Sequence, residues 1–266
     1  MTTRSLVTSN PWSALRRFTP ARIALGRVGS SLPTDEVLRF GLAHARARAA
    51  VHRALDVEAL RAAIEHEGWE SLCVKSAAPD RATFLLRPDL GRRLDSQSGE
   101  ALRVAHGGPC DILFVIADGL SAAAVQQHAV PLIAAARALL PDSNIGSVVV
   151  AEQGRVALGD AIGALMAARF VAMLIGERPG LSSPDSMGIY LTREPRIGRP
   201  DAERNCISNV RPDGLAPALA ARKLAWLIAA ADRIGATGVA LKDQSAMRLP
   251  ANDTRIGTTP AASRRR

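Results

Sequence analysis

The stretch Phe170-Val-Ala-Met-Leu-Ile175, followed at once by Gly176-Glu-Arg-Pro-Gly180, constrains the fold of this chain most. Six consecutive apolar residues with no polar alternation predict a strand covered on both faces. Burying the large side chains of such a strand stabilises a fold by roughly 1.5–3 kcal/mol each. The abrupt change to two charges between Gly and Pro breakers marks the strand's carboxyl end. Ligands of open parallel sheets bind just beyond such ends. Glu177 and Arg178 are therefore expected at a ligand-bearing rim.

The same texture extends through the second half of the chain. Apolar runs at 112–116 and 148–151 alternate with helix-length segments, the pattern of βαβ units around a parallel sheet. Ser121 is expected to cap the helix that follows the first run, and Pro131 to kink or restart it. Leu158, Ile162, Leu165 and Met166 share one side of another helix. A strand is expected at 187–191, a long helix through Leu219, Leu224, Leu227 and Ile234, and a last strand at 239–241.

The first half reads as mainly helical. Pro11 suits a first helical turn, with Trp12, Leu15 and Phe18 at helical spacing. Thr34 is expected to cap a helix whose apolar stripe is Val37, Leu38, Leu42, Ala45 and Ala49, with Arg39, Arg46, Arg48 and Arg53 opposite. That arginine face reads as solvated, or as a surface that meets an acidic partner. A helix at 57–67 and a short strand at 72–76 follow. Segment 76–94, dense in Arg, Asp and Pro, is expected as ordered turns rather than helix; Arg81, Arg87, Arg92 and Arg93 lie within it. After a helix at 98–104, His106-Gly-Gly-Pro109 breaks the chain. The expected division is a helical domain at 1–106, a sheet domain at 107–243 and a disordered basic tail at 244–266, with residues 1–10 frayed.

Hydrophobic residues make up 47% of the chain, enough for a packed core, so wholesale disorder is excluded. The formal charge of +9 raises nucleic acid as a partner, but the arginines are scattered and the aromatics, at 3%, are too few to stack bases. No nucleic-acid or membrane partner is expected: no apolar run reaches the ~18 residues of a span. Cys73, Cys110 and Cys206 form no C-x-x-C pair, which fits a reducing cytoplasm. The chain begins without the apolar run of a secretion signal.

The dinucleotide fingerprint, the P-loop, the G-x-S-x-G elbow and H-E-x-x-H are all missing, and the histidines do not fall at metal-ligand spacing. Four polar loops remain at expected strand ends: Asp118-Gly-Leu-Ser121, Gln153-Gly-Arg-Val156, Gly176-Glu-Arg-Pro-Gly-Leu-Ser-Ser-Pro184 and Asn205-Cys-Ile-Ser-Asn209. Each alone is ordinary. Val156 reads as core and Cys206 as a small buried residue. Together the loops can line one crevice rich in backbone N–H groups.

In order along the chain stand Arg-Arg-Phe-Thr-Pro-Ala-Arg-Ile-Ala-Leu-Gly-Arg (16–27), Leu-Ala-His-Ala-Arg (42–46), Arg-Pro-Asp-Leu-Gly-Arg-Arg-Leu (87–94) and Val-Ile-Ala-Asp-Gly-Leu-Ser (115–121). Gly-Arg-Val-Ala-Leu-Gly-Asp (154–160), Ile-Gly-Glu-Arg-Pro-Gly-Leu (175–181) and Asn-Cys-Ile-Ser-Asn (205–209) follow. In these seven motifs, from about residue 12 to Asp243, the chain resembles the small (light) chain of ethanolamine ammonia-lyase. The resemblance implies a Rossmann-like α/β domain behind a smaller, mainly helical N-terminal domain. It implies adenosylcobalamin as cofactor, radical conversion of ethanolamine to acetaldehyde and ammonia, and a hetro-oligomer in which a large subunit holds the substrate. Cobalamin contacts carry over to Val156, Glu177 and Cys206, each in an intact motif. The resemblance is to enzymes in which no protein group ligates cobalt, and the chain has no Asp-x-His-x-x-Gly, so no metal ligand and no catalytic acid or base is assigned. Some relatives work inside a protein-shelled microcompartment. Residues 1–20 offer only the short helix from Pro11, which leaves that location open. Two other readings of the crevice stand beside this one: a self-sufficient α/β enzyme with another nucleotide-like cofactor, and a scaffold subunit docking through its arginine-rich helix.

Overall fold

The structure, a computed structural model, describes residues 6–105 and 107–248. Its centre is a six-stranded mixed sheet in the order β1-β3-β2-β4-β5-β6. The strands are β1 (Ser71–Lys75), β2 (Cys110–Ala117), β3 (Val148–Glu152), β4 (Ala168–Gly176), β5 (Met187–Arg193) and β6 (Asn205–Val210). β4 is the apolar run, and seven of its nine burial positions form one unbroken buried stretch from Phe170 to Gly176. It pairs parallel with β2, Phe114 opposite Ala172 and Ile116 opposite Leu174. β1 lies before the expected 106/107 division and pairs with β3 in this same sheet.

Strand alternation sorts the core into two layers. Ile112, Phe114 and Ile116 of β2 and Phe170, Ala172 and Leu174 of β4 face α2 (Val57–His66), α5 (Ala122–Ala138) and α7 (Pro217–Ile234). Leu113, Val115, Val171, Met173 and Ile175 face α4 (Ser96–Ala105) and α6 (Leu158–Leu165). With so few aromatics, the helices pack through alanine and leucine, such as Ala124, Ala220, Leu132 and Leu224.

The sheet departs from the expected parallel arrangement: β5 and β6 run antiparallel to their neighbours. Residues 177–186, between β4 and β5, contain no helix. A parallel return needs about a dozen or more residues, generally with a helix, so the chain doubles back instead. Segment 205–209, expected as a loop, lies in the edge strand β6, where one side of the ladder is free and Cys206, Ser208 and Asn209 are exposed. The expected last strand at 239–241 is a 3-10 turn at Gly238–Ala240; Gly238 has φ 81° and donates its N–H to Asn205 Oδ1 (2.8 Å).

Local capping explains other departures. Segment 76–94 contains α3 (Arg81–Leu86), because the Asp80 side chain accepts from Thr83 N (2.8 Å). A 3-10 turn at Leu90–Arg92 follows. Thr34 begins α1 (Thr34–His52) but Pro33 occupies the cap position without a side-chain bond. Ser121 occupies the cap position of α5, yet its hydroxyl donates to Pro184 O (2.8 Å) instead of capping. α5 runs through Pro131 without a restart.

The expected stripe of α1 is not buried within this chain: Val37, Leu38 and Leu42 are 50%, 67% and 52% exposed. Trp12 and Phe18, on a 3-10 helix at Pro11–Phe18, are 66% and 72% exposed. Thr8, within the segment expected to fray, pairs with Arg27. Of the expected tail at 244–266, Ser245–Arg248 forms a 3-10 turn, and 249–266 lie outside the described residues, as do 1–5 and His106.

Backbone packs on backbone where β2 and β4 end. Leu120 N–H donates to Gly176 O (2.9 Å), and a Cβ on Gly176 meets Ser121 O at 2.1 Å and Asp118 O at 2.5 Å. Gly176→Ala is therefore expected to lower stability by about 3 kcal/mol, the upper end for overpacking. Urea unfolding reads this directly, and an unchanged midpoint contradicts the packing described.

Candidate functional site

The strands β2, β3 and β4 end at one rim, and β2 and β4 send their chains to opposite sides: β2 through α5 back to β3, β4 onward to β5. Such a divergence opens a crevice. Asp118, at the end of β2, is 2% exposed. It accepts from Gly154 N (3.1 Å) and Arg81 Nη1 (3.2 Å), joining the first loop to the second. Arg81 also donates to Gly119 O (2.8 Å), Gln153 Oε1 (3.3 Å) and Val51 O (2.7 Å), so one guanidinium ties α1 and both loops.

Glu177, directly after β4, is half-buried and collects donors from the other loops. Its carboxylate accepts from the Ser186 hydroxyl, from the Ser208 hydroxyl (2.6 Å) and from Asn209 N–H (3.2 and 3.3 Å to its two oxygens). Asn209 is left-handed, φ 59°, a conformation Asn tolerates better than most residues, and this turns its N–H toward Glu177. Glu177 N–H itself donates to Ser186 O (2.9 Å).

Cys206 is exposed on β6, opposite Tyr190 of β5. Desolvation raises the Cys206 thiol pKa, the Tyr190 hydrogen bond offsets part of this and the Glu177 charge adds to it, so the sulfur stays protonated at neutral pH. Desolvation, then Cys206 and Glu177, push Tyr190 up to about 12. Val156 is half-buried; it and Tyr190 pack against the apolar layer that contains Met173 and Ile175. Glu177 and Cys206 thus adjoin through Tyr190, and Val156 lies on the same sheet face. Arg178 is exposed.

A buried ion pair fixes two of these loops. Asp160, in the first turn of α6, receives Arg204 Nη1 (2.6 Å) and Nη2 (2.7 Å), and both side chains are 2% exposed. Arg204 also donates to Thr192 Oγ1 (3.0 Å) and Arg199 O (2.8 Å). The pair links the segment carrying Val156 to the strand carrying Cys206.

The sequence reading placed Asp118 in a rim loop but missed its partner Arg81, and it missed Ser186, the Asp160–Arg204 pair and the acceptor role of Glu177 toward Asn209. An arginine in a segment read as turns carries no signal of its own. The polar run Ser208-Asn209 did, since Asn favours left-handed turns. Among the described residues no three His, Cys, Asp or Glu side chains gather as a metal site, and no helix is long and apolar enough to cross a membrane.

The family model of the ethanolamine ammonia-lyase light chain (EutC) matches residues 9–242. The chain belongs to that family. An ethanolamine ammonia-lyase small subunit of Azotobacter vinelandii is 53% identical, over 92% of this chain and 93% of the relative. One of Ralstonia nicotianae is also 53% identical, over 93% of each chain, and one of Xanthomonas campestris pv. campestris is 49% identical over 98% and 97%. The rim described above is thus the rim of a light chain, assembled by motifs spread from Asp118 to Asn209.

Two predictions follow from its buried charges. Burial pushes Asp118 up to about 6 despite the lowering effect of Arg81, from a carboxylate value of 3.8. The folded state then binds this proton more tightly than the unfolded chain, so Asp118 contributes most below about pH 4 and loses that contribution as pH rises through 6. The stability difference between wild type and Asp118→Asn should fall by on the order of 2 kcal/mol from pH 4 to 6.5; a flat difference contradicts the assignment. Asp160→Ala strands the Arg204 charge and should cost about 3–5 kcal/mol by urea unfolding.

Proposed function

We propose that this chain is the light subunit of an adenosylcobalamin-dependent ethanolamine ammonia-lyase, seating the cofactor at the carboxyl rim against a large partner subunit. The observation that carries the reading is the state of Glu177. A carboxylate offers about four acceptor positions, and Ser186, Ser208 and Asn209 take three of them. One is left, on a charged group held rigidly at the rim. The corrin edge carries neutral primary amides, which are donors suited to that position, and a charge-assisted bond there is stronger than a neutral one. Val156, Tyr190 and the protonated Cys206 supply apolar, uncharged surface beside it. The donor and acceptor set therefore fits the group.

When bound, the cofactor supplies a cobalt–carbon bond whose homolysis initiates radical chemistry on ethanolamine, giving acetaldehyde and ammonia. The residues of this chain bind and orient. Glu177 fixes the corrin edge, Val156 and Cys206 line its surface, and the two buried ion pairs keep their loops in register. The Rossmann-like divergence at β2 and β4 supports this reading, because it opens the crevice where a large planar group is accommodated. The exposed Trp12, Phe18 and Leu38 support a large partner, since apolar side chains grouped on a surface mark interaction sites.

Co-expression with a large subunit should yield acetaldehyde from ethanolamine only when adenosylcobalamin is added; turnover by this chain alone contradicts the reading. In the complex, Glu177→Gln keeps the side-chain length and one acceptor oxygen. It should weaken cyanocobalamin binding by about 1.5–3 kcal/mol, measured by equilibrium dialysis.

A further inference from the structure

An excess of positive charge converges on the loop that carries Val156. Arg155 donates its backbone N–H to Gly91 O (2.8 Å) and its Nη2 to Phe84 O (3.2 Å). Its guanidinium carbon lies 4.2 Å from the Phe84 ring centroid, and that of Arg81 lies 4.8 Å from it. Arg92 follows Gly91, and Arg178 follows Glu177; both are exposed, and neither makes an ion pair or hydrogen bond among the described residues. Burial lowers the Arg155 pKa first, and the charges of Arg81, Arg92 and Arg178 lower it further. Asp118 acts on Arg155 in the opposite sense, but it is already engaged by Arg81 and Gly154.

Four guanidiniums thus gather at a rim with two carboxylates, the buried Asp118 and Glu177, the second already held by Ser186, Ser208 and Asn209. Two of their nitrogens, Arg81 Nη2 and Arg155 Nε, are buried without a partner. Solvated surface arginines are ordinary when they stand apart or are paired, as Arg87 is with Asp89. Here the repulsion is concentrated at one rim, beside a half-buried apolar side chain and within the crevice that Glu177 borders. An anion relieves it, and a group with two free oxygens meets the planar fork of arginine best.

We propose that Arg92, Arg155 and Arg178 form a phosphodiester subsite for the nucleotide tail of the cofactor, with Arg81 contributing field but no contact. This rests on the cobalamin reading given above. The corrin side chains are neutral amides, and the phosphodiester of the tail is the one anionic group of the molecule. The arginines would therefore recognise the tail while Glu177 recognises the ring edge, two opposite charges reading two opposite partners.

The test uses the co-expressed two-subunit complex with two probes. Cyanocobalamin carries the phosphodiester, ribose and base; dicyanocobinamide lacks all three. Arg92→Gln and Arg178→Gln, made singly, should each weaken cyanocobalamin binding roughly tenfold and change cobinamide binding less than about twofold. Equal weakening of both probes, or of neither, overturns the subsite. So does a loss confined to co-purification of the large subunit, which would assign these arginines to acidic groups of that partner. If instead Glu177→Gln leaves binding of both corrinoids unchanged, or the complex binds neither, the cobalamin reading fails as well.

Discussion

Gly176 is where the architecture and the candidate site meet. Its lack of a side chain lets the ends of β2 and β4 touch, main chain to main chain, so that Leu120 N–H reaches Gly176 O. Everything at the rim is referred to that contact. The next residue, Glu177, leaves the sheet with a fixed direction, and the hydroxyls of Ser186 and Ser208 and the N–H of Asn209 come to it from two other segments. A carboxylate held by three donors is positioned before any ligand arrives, which lowers the ordering penalty of binding.

Two buried ion pairs extend this order outward. Arg81–Asp118 joins α1 to the first two loops, and Arg204–Asp160 joins α6 to β6. Such pairs add little net stability over well-packed apolar residues, because desolvation offsets most of their attraction. Their contribution here is register: each pair ties together segments that are distant in sequence and that carry the rim residues. The exposed apolar residues at 12, 18, 37, 38, 40 and 42 mark the opposite condition, a surface this chain leaves uncovered.

The sheet centre was legible because apolar runs at 112–116, 148–151 and 170–175 have no alternative to burial. The antiparallel edge was not. Its strand Asn205–Val210 carries the polar residues Asn205, Ser208 and Asn209 without strict alternation, which reads equally as loop, and only the helix-free 177–186 connection argued against a parallel return. α3 was hidden because Asp80 and Pro79 read as a turn while the same aspartate caps a helix. Glu177 was legible from its position after β4; the arrangement of donors around it was not, because Ser186, Ser208 and Asn209 come together only through the β4–β5–β6 turnback. Val156 and Cys206 carry no chemical signature and entered through the seven-motif resemblance alone.

The central claim is that a corrinoid sits on this rim with the large subunit closing over it. A structure of the co-purified two-subunit complex with cyanocobalamin tests it most directly. The account predicts a corrin amide nitrogen within about 3 Å of a Glu177 carboxylate oxygen, the distance of a charge-assisted hydrogen bond, with Val156 and Cys206 against the cofactor. A corrinoid held wholly by the large subunit, or one that reaches this chain on another face, contradicts it.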